Sequence, residues 1–139
     1  MEREMRLEIY ERELRRFLHE LREHDFVVFE DARDPERYVQ FIVHDAGILG
    51  EVGSKHWMPE SSGPRKTSVT ALGCLGFEGG GPRSTLKRDH LPHDARKLAC
   101  LTELAFGAAY GDEVCDMVPC VLTKAMREAE PPRQLEFDA

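Results

Sequence analysis

Residues 38–52 read Tyr-Val-Gln-Phe-Ile-Val-His-Asp-Ala-Gly-Ile-Leu-Gly-Glu-Val, and this stretch decides the fold. Two β-rich runs within it, residues 38–43 and 48–52, flank an Asp-Ala-Gly turn. A third run, residues 26–29, comes before them, and the turn-forming residues 31–35 join it to the second run. Because parallel pairing needs a long crossover, three strands with connections this short are predicted to form an antiparallel meander.

The second of these strands indicates which side of the sheet is buried, because side chains alternate between the two faces of a strand. One face carries Val39, Phe41 and Val43, and the other carries Tyr38, Gln40 and Ile42. The polar Gln40 indicates that its face is the wetter one. We therefore expect Phe41 to lie in the core.

Apolar residues at steps of three and four predict the helices. The most regular pattern spans residues 4–24, where Glu and Arg fill the polar positions, several of them as favourable pairs four residues apart. Helices are also predicted over residues 67–75 and 92–110, each followed by a glycine suited to a C-terminal cap. A final amphipathic helix is predicted over residues 113–128, with a proline either kinking it or lying in its first turn.

The length and composition fit one domain. The chain has 139 residues, of which 41% are hydrophobic, and this is enough to bury a core. The pattern predicts a single α+β domain over residues 1–129, with helices packed on one face of the meander. Residues 130–139 are predicted to be a C-terminal tail.

The charge balance excludes some partners. With 19 basic and 26 acidic residues, the net charge is −7, whereas binding to nucleic acid or to an anionic membrane needs clustered Lys and Arg. The sequence has no apolar run long enough for a transmembrane helix, and its first residues lack the apolar core of a signal peptide. We therefore expect a cytoplasmic protein whose cysteines are reduced thiols. These are Cys74, Cys100, Cys115 and Cys120.

Four short sequence segments, taken in their order along the chain, resemble those of a known family. They are Arg-Tyr-Val-Gln-Phe at 37–41, Leu-Gly-Glu-Val-Gly-Ser at 49–54, Ala-Leu-Gly-Cys-Leu-Gly-Phe at 71–77 and Ala-Tyr-Gly at 109–111. In their order and spacing they resemble the YbjN-like and type III secretion chaperone-like family, the TY-Chap domains of bacteria. The resemblance covers roughly residues 5–111.

The resemblance implies a fold and a function. It implies a secretion-chaperone-like α+β fold, with helices on an antiparallel sheet that further short strands extend. It also implies a dimer that holds an extended segment of a partner protein. The chain departs from the family pattern at residues 78–91, which are Gly-rich and charged, and in the helix predicted after Gly111.

We therefore interpret the chain as a non-enzymatic, protein-binding or chaperone-like module without a cofactor, and as a homodimer in the way the resemblance implies. The expected partner-binding residues are Tyr38 and Gln40 on the sheet, together with Trp57 and Met58. Trp57 and Met58 lie in a Pro/Gly-containing loop, where they either plug the core or present a contact surface. The expected homodimer interface is the apolar face of the final helix. It comprises Val114, Met117, Val118, Val121 and Leu122.

Two other functions stay open at this point. A small hydrolase or metal-dependent enzyme could use a zinc site, whose only available ligands in this pattern are His90, His93, Cys115 and Cys120. The spacing departs from paired zinc ligands, and a free cysteine on an apolar helix face is more often a small core residue. No pattern selects a catalytic Cys–His pair. The other possibility is a structural subunit of a larger assembly.

Overall fold

A computed structural model describes residues 1–53, 63–79, 85–111 and 116–123 of the chain. The elements in chain order are α1 (Arg3–His19), β1 (Phe26–Asp31), β2 (Asp34–His44), β3 (Gly47–Val52), α2 (Gly63–Cys74), β4 (Glu78–Gly79), β5 (Leu86–Arg88), α3 (Ala95–Tyr110) and β6 (Pro119–Thr123). None of the described helices is long and apolar enough to cross a membrane. Several residues singled out in the sequence lie outside the described ones: Trp57, Met58, Val114, Cys115 and the tail 130–139.

The described strands form one antiparallel sheet in the order β4-β5-β3-β2-β1-β6. The predicted meander of β1, β2 and β3 is confirmed. Asp45 and Ala46 connect β2 to β3 with positive φ angles of 50° and 62°. Such a two-residue turn matches the twist of its flanking strands, and it fixes the register in which Ile42 lies opposite Leu49.

The buried face of the sheet is the one that the sequence predicts. Val39 and Phe41 are fully buried and Val43 nearly so, whereas Tyr38, Gln40 and Ile42 are half-buried. Helices α1 and α3 pack on the buried face. Tyr10 of α1 meets Phe29 of β1 at 4.9 Å between ring centroids and Phe106 of α3 at 6.4 Å. These rings lie in the core cluster, where aromatic pairs contribute stability beyond the area they bury.

The start of α3 and the end of α2 test the capping signals that were predicted from the sequence. The side chain of Asp94 accepts a hydrogen bond from the backbone N–H of Lys97, so α3 begins at Ala95 rather than at residue 92. The predicted cap of α2 at Gly76 is confirmed by its φ of 89°. There the backbone N–H of Phe77 reaches back to the carbonyl of Leu72 at 3.1 Å, which satisfies a carbonyl in the last turn of the helix.

The predicted helix over residues 113–128 is wrong for the residues described. Residues 119–123 form strand β6, in which Val121 pairs with Phe29 and Leu122 with Val28. Pro119 opens this strand, where it is tolerated, whereas a helix interior would lose a hydrogen bond to it. Met117 just before the strand is fully buried in the core and so is not a surface residue of an amphipathic helix.

Residues 78–91 do contain the further short strands that the resemblance implies. Strands β4 and β5 pair with each other, and β5 continues the sheet from β3. Leu86 is buried opposite Val52, so even these short strands add an apolar side chain to the core.

A buried ion pair joins the two helices that cover the sheet. Arg6 of α1 donates to both carboxylate oxygens of Glu103 of α3, from Nε to Oε1 at 2.8 Å and from Nη2 to Oε2 at 2.7 Å. Only 4% and 8% of these side chains are exposed. The nearby hydroxyl of Tyr10 is buried without a hydrogen-bond partner among the described residues. Burial, and then the negative charge of Glu103, raise the pKa of Tyr10.

We expect Arg6→Met or Glu103→Leu alone to destabilise the protein by about 3–5 kcal/mol, because each leaves an uncompensated buried charge. The double variant removes both charges and should lose much less than the sum of the single costs. Urea denaturation of the four proteins measures the coupling. Costs that simply add in the double variant would contradict a coupled pair.

Candidate peptide-binding surfaces

The sheet has a second face that none of the described helices covers. Strand pairing places Gln40 opposite both Val28 and Glu51, and Ile42 opposite Leu49. Directly paired residues point to the same side of an antiparallel sheet. The side chains of this helix-free face are Phe26, Val28, Glu30, Tyr38, Gln40, Ile42, Leu49, Glu51, Cys120 and Leu122.

Apolar side chains dominate the centre of the helix-free face. Val28 is only 6% exposed, yet it does not belong to the core cluster beneath α1 and α3. On the same face lie Leu122, which pairs with Val28, and the cross-strand pair Ile42 and Leu49, and all three are half-buried. With Gln40 among them, these side chains offer an apolar surface that contains one amide able to donate and accept hydrogen bonds.

Tyr38 lies at one end of the helix-free face and packs against the backbone of Gly53. A Cβ atom at Gly53 would come within 2.8 Å of the Tyr38 ring, so a side chain there would displace the ring. The Gly53 N–H also donates to the Tyr38 carbonyl at 2.9 Å. Burial, and then the charge of Glu51, raise the pKa of Tyr38.

The hydroxyl of Tyr110 ties this end of the sheet to α3. It accepts a hydrogen bond from the Tyr38 N–H at 3.2 Å and donates one to the Gly53 carbonyl at 2.8 Å. The guanidinium of Arg37 lies 5.8 Å from the centre of the Tyr110 ring. Three of the segments that carry the resemblance, at 37–41, 49–54 and 109–111, therefore meet through one side chain.

A cavity of about 600 Å³ opens on the helical side of the molecule, between the end of α2, β5 and α3. Its lining residues among those described are Cys74, Leu75, Gly76, Arg88, Pro92, Arg96, Lys97, Leu98, Cys100, Leu101 and Leu104. We call it the α2–α3 groove. Sequence reasoning missed it, because its residues come from three elements that no local pattern links.

Residues 8–129 match the model of a family described as T3SS (YopN, CesT) and YbjN peptide-binding chaperone 3, TY-Chap3. The chain belongs to this family. Searches of curated proteins and of solved structures find no match. The TY-Chap3 match confirms the resemblance seen in the sequence and carries it past Gly111, so β6 is part of the family domain rather than an addition to it.

The residues expected at the dimer interface lie in different places in the structure. Met117 is buried in the core. Val121 is partly buried and packs against the core. Leu122 lies on the helix-free face, and Val118 is 43% exposed. The four described members therefore form no single helical stripe, although Leu122 joins Tyr38 and Gln40 on one surface.

Among the described residues, the possible zinc ligands His90 and Cys120 do not come together. His90 lies just before Leu91, whose N–H binds the carbonyl of Ile48 on β3, while Cys120 pairs with Glu30 of β1. Two strands, β2 and β1, separate β3 from β6. Among the described residues, the one cluster with metal-ligand spacing is Glu23, His44 and Asp45. All three side chains are exposed, and the Glu23 carboxylate already accepts the N–H of Asp45 at 2.9 Å.

We expect Tyr110→Phe to destabilise the protein by about 1–3 kcal/mol, because it leaves the Tyr38 N–H and the Gly53 carbonyl without this partner. Tyr10→Phe is the matched control, since the Tyr10 hydroxyl has no partner among the described residues to lose. Urea midpoints give the costs, and amide hydrogen exchange at Tyr38 should accelerate in Tyr110→Phe alone. Equal midpoints for the two variants would contradict the role of the Tyr110 hydroxyl.

Proposed function

We propose that this chain is a cytoplasmic, non-enzymatic chaperone module that holds an extended segment of a partner protein against its helix-free face. Its family is one of peptide-binding chaperones. The observation that carries the choice of surface is the one-sided packing of α1 and α3, which leaves the apolar side chains around Gln40 outside the core cluster.

The chemistry of the helix-free face suits an extended segment. Such a segment presents alternate side chains to one side, at the same spacing as the strands beneath it. Apolar side chains of the segment would contact Ile42, Leu49 and Leu122, and burying them supplies most of the binding free energy. Gln40 and the Tyr38 hydroxyl would contribute hydrogen bonds that orient the segment without demanding one sequence.

We expect Leu49→Asp to abolish peptide binding, because it places a charge among the apolar side chains that would contact the peptide. An array of overlapping synthetic peptides, drawn from the proteins encoded beside this gene, provides the ligands and the readout. Met5→Asp is the matched control, since Met5 is a 51% exposed apolar residue on α1, away from the sheet.

Circular dichroism first establishes that both variants are folded. An unchanged array pattern for Leu49→Asp would contradict binding at the helix-free face. Loss of binding in Met5→Asp but not in Leu49→Asp would move the site to the helical side.

The proposal includes a homodimer, now placed at β6 rather than on a helix. β6 ends the described sheet on this side, and the exposed backbone groups of an edge strand can pair with a second chain. Antiparallel pairing of two copies of β6 about a two-fold axis would continue the sheet across the dimer. Val118, next to the strand and 43% exposed, would be covered in that arrangement.

Light scattering should therefore give twice the 15.9 kDa mass of the chain, and Val118→Asp should shift the mass to that of the monomer without unfolding it. Met5→Asp again serves as the control and should leave the mass unchanged. A mass of 15.9 kDa for the unmodified protein at every accessible concentration would rule out the dimer.

A further inference from the structure

The α2–α3 groove lies on the opposite side of the sheet from the surface discussed above. Arg88 pairs with Gly50, and Gly50 pairs with Phe41, so all three residues belong to the buried face. The groove volume of about 600 Å³ falls within the range of about 300–1,000 Å³ that is typical of ligand sites. What binds there is therefore a separate question from what binds the helix-free face.

The floor of the groove is apolar. Leu98 and Leu101 of α3 form the deeper part and are buried, and Leu75 from the end of α2 is half-buried beside them. Leu104 at the rim is 50% exposed, which makes it one of the most exposed large apolar side chains among the described residues. A groove floor of this kind favours a ligand with a branched apolar side chain.

The charged residues around the floor are all basic. They are Arg88, Arg96 and Lys97, and no acidic residue appears in the described lining. The charge of the groove lining is therefore positive, whereas the whole chain carries a net charge of −7. The α2–α3 groove is thus a local positive site on an acidic protein, and such a site attracts acidic ligands that the rest of the surface repels.

Two of the three basic groups are available to a ligand. Arg88 donates from Nη1 to the Leu75 carbonyl at 3.0 Å, and no carboxylate among the described residues pairs with it. Lys97 likewise forms no ion pair within the described part of the chain, and it is exposed. Arg96 differs, because its Nη1 contacts Oε1 of Glu11 at 3.2 Å.

We propose that the α2–α3 groove binds a second stretch of an extended protein ligand, one in which acidic residues alternate with leucine-like side chains. The apolar side chains would lie on Leu75, Leu101 and Leu104, and the carboxylates would bind Arg88 and Lys97. Charge complementarity selects this ligand class, because the floor alone would accept any apolar segment. The inference does not depend on the helix-free face, since the groove has its own residues.

Two synthetic peptides test the ligand class, one of alternating Leu and Asp and one with Asn in place of every Asp. Fluorescence anisotropy with the unmodified protein at low salt should show about tenfold tighter binding of the acidic peptide. The difference should shrink as the salt concentration rises, because ions screen exposed charges. Equal affinity for the two peptides would overturn the proposal.

A variant pair tests the basic groups. Lys97→Glu should weaken binding of the acidic peptide about fivefold, which corresponds to the loss of one exposed ion pair. Arg12→Glu makes the same change of charge on α1, where Arg12 is 61% exposed and outside the groove lining, and should leave the affinity unchanged. Equal losses of affinity in the two variants would show that only the net charge of the protein matters, and this would overturn the proposal.

Two native cysteines locate the bound peptide. Cys74 is exposed in the α2–α3 groove, while Cys120 is exposed on the helix-free face. Alkylation with limiting iodoacetamide, read by mass spectrometry, should slow at Cys74 when the acidic peptide is bound and stay unchanged at Cys120. Protection of Cys120 alone would place the peptide on the sheet, and protection of neither would place it elsewhere. Either result would overturn binding in the groove, while the Leu49→Asp experiment would still decide the helix-free face.

Discussion

The buried ion pair between Arg6 and Glu103 is the interaction on which the arrangement of the layers depends. It joins residues 97 positions apart and holds α1 against α3 where both cross the sheet. Charges removed from water destabilise a fold unless they are paired, so a placement that separated the two helices would leave Arg6 and Glu103 uncompensated wherever they stayed buried. With both helices fixed on one face, the apolar residues of the other face remain outside the core, and the function proposed here follows from that asymmetry.

The sequence predicts the meander well because every signal for it is local. The Asp45-Ala46 turn sets the register, and the alternation around Phe41 separates the two faces before any long-range contact is considered. Strand β6 shows where such reasoning fails. Apolar residues around Val121 satisfy a helical spacing, but they pair with β1, which lies about ninety residues earlier in the chain. A strand is favoured over a helix here because it can pair with the free edge of β1, and the sequence alone does not reveal that edge.

The candidate sites also differ in how far they could be predicted from the sequence. Tyr38 and Gln40 could be assigned to a shared face from their spacing alone, and strand pairing adds Leu122 to them. The α2–α3 groove could not be predicted, because Leu75, Arg88 and Lys97 come from three elements whose meeting is a property of the packed helices. The Tyr110 contact could be predicted only in part. The segments that it joins carried the family resemblance, but their physical link is one hydroxyl that bridges two backbone groups.

The order of the strands has a consequence for synthesis on the ribosome. β1 leaves the exit tunnel before its neighbour β6, which lies about ninety residues later in the chain. At about 5–20 residues per second, translation separates the two by several seconds. During that interval the outer edge of β1 has no partner from its own chain, and an unpaired edge invites association with other nascent chains. Expression conditions that slow elongation should therefore favour aggregation of this protein, although its finished sheet leaves that edge covered.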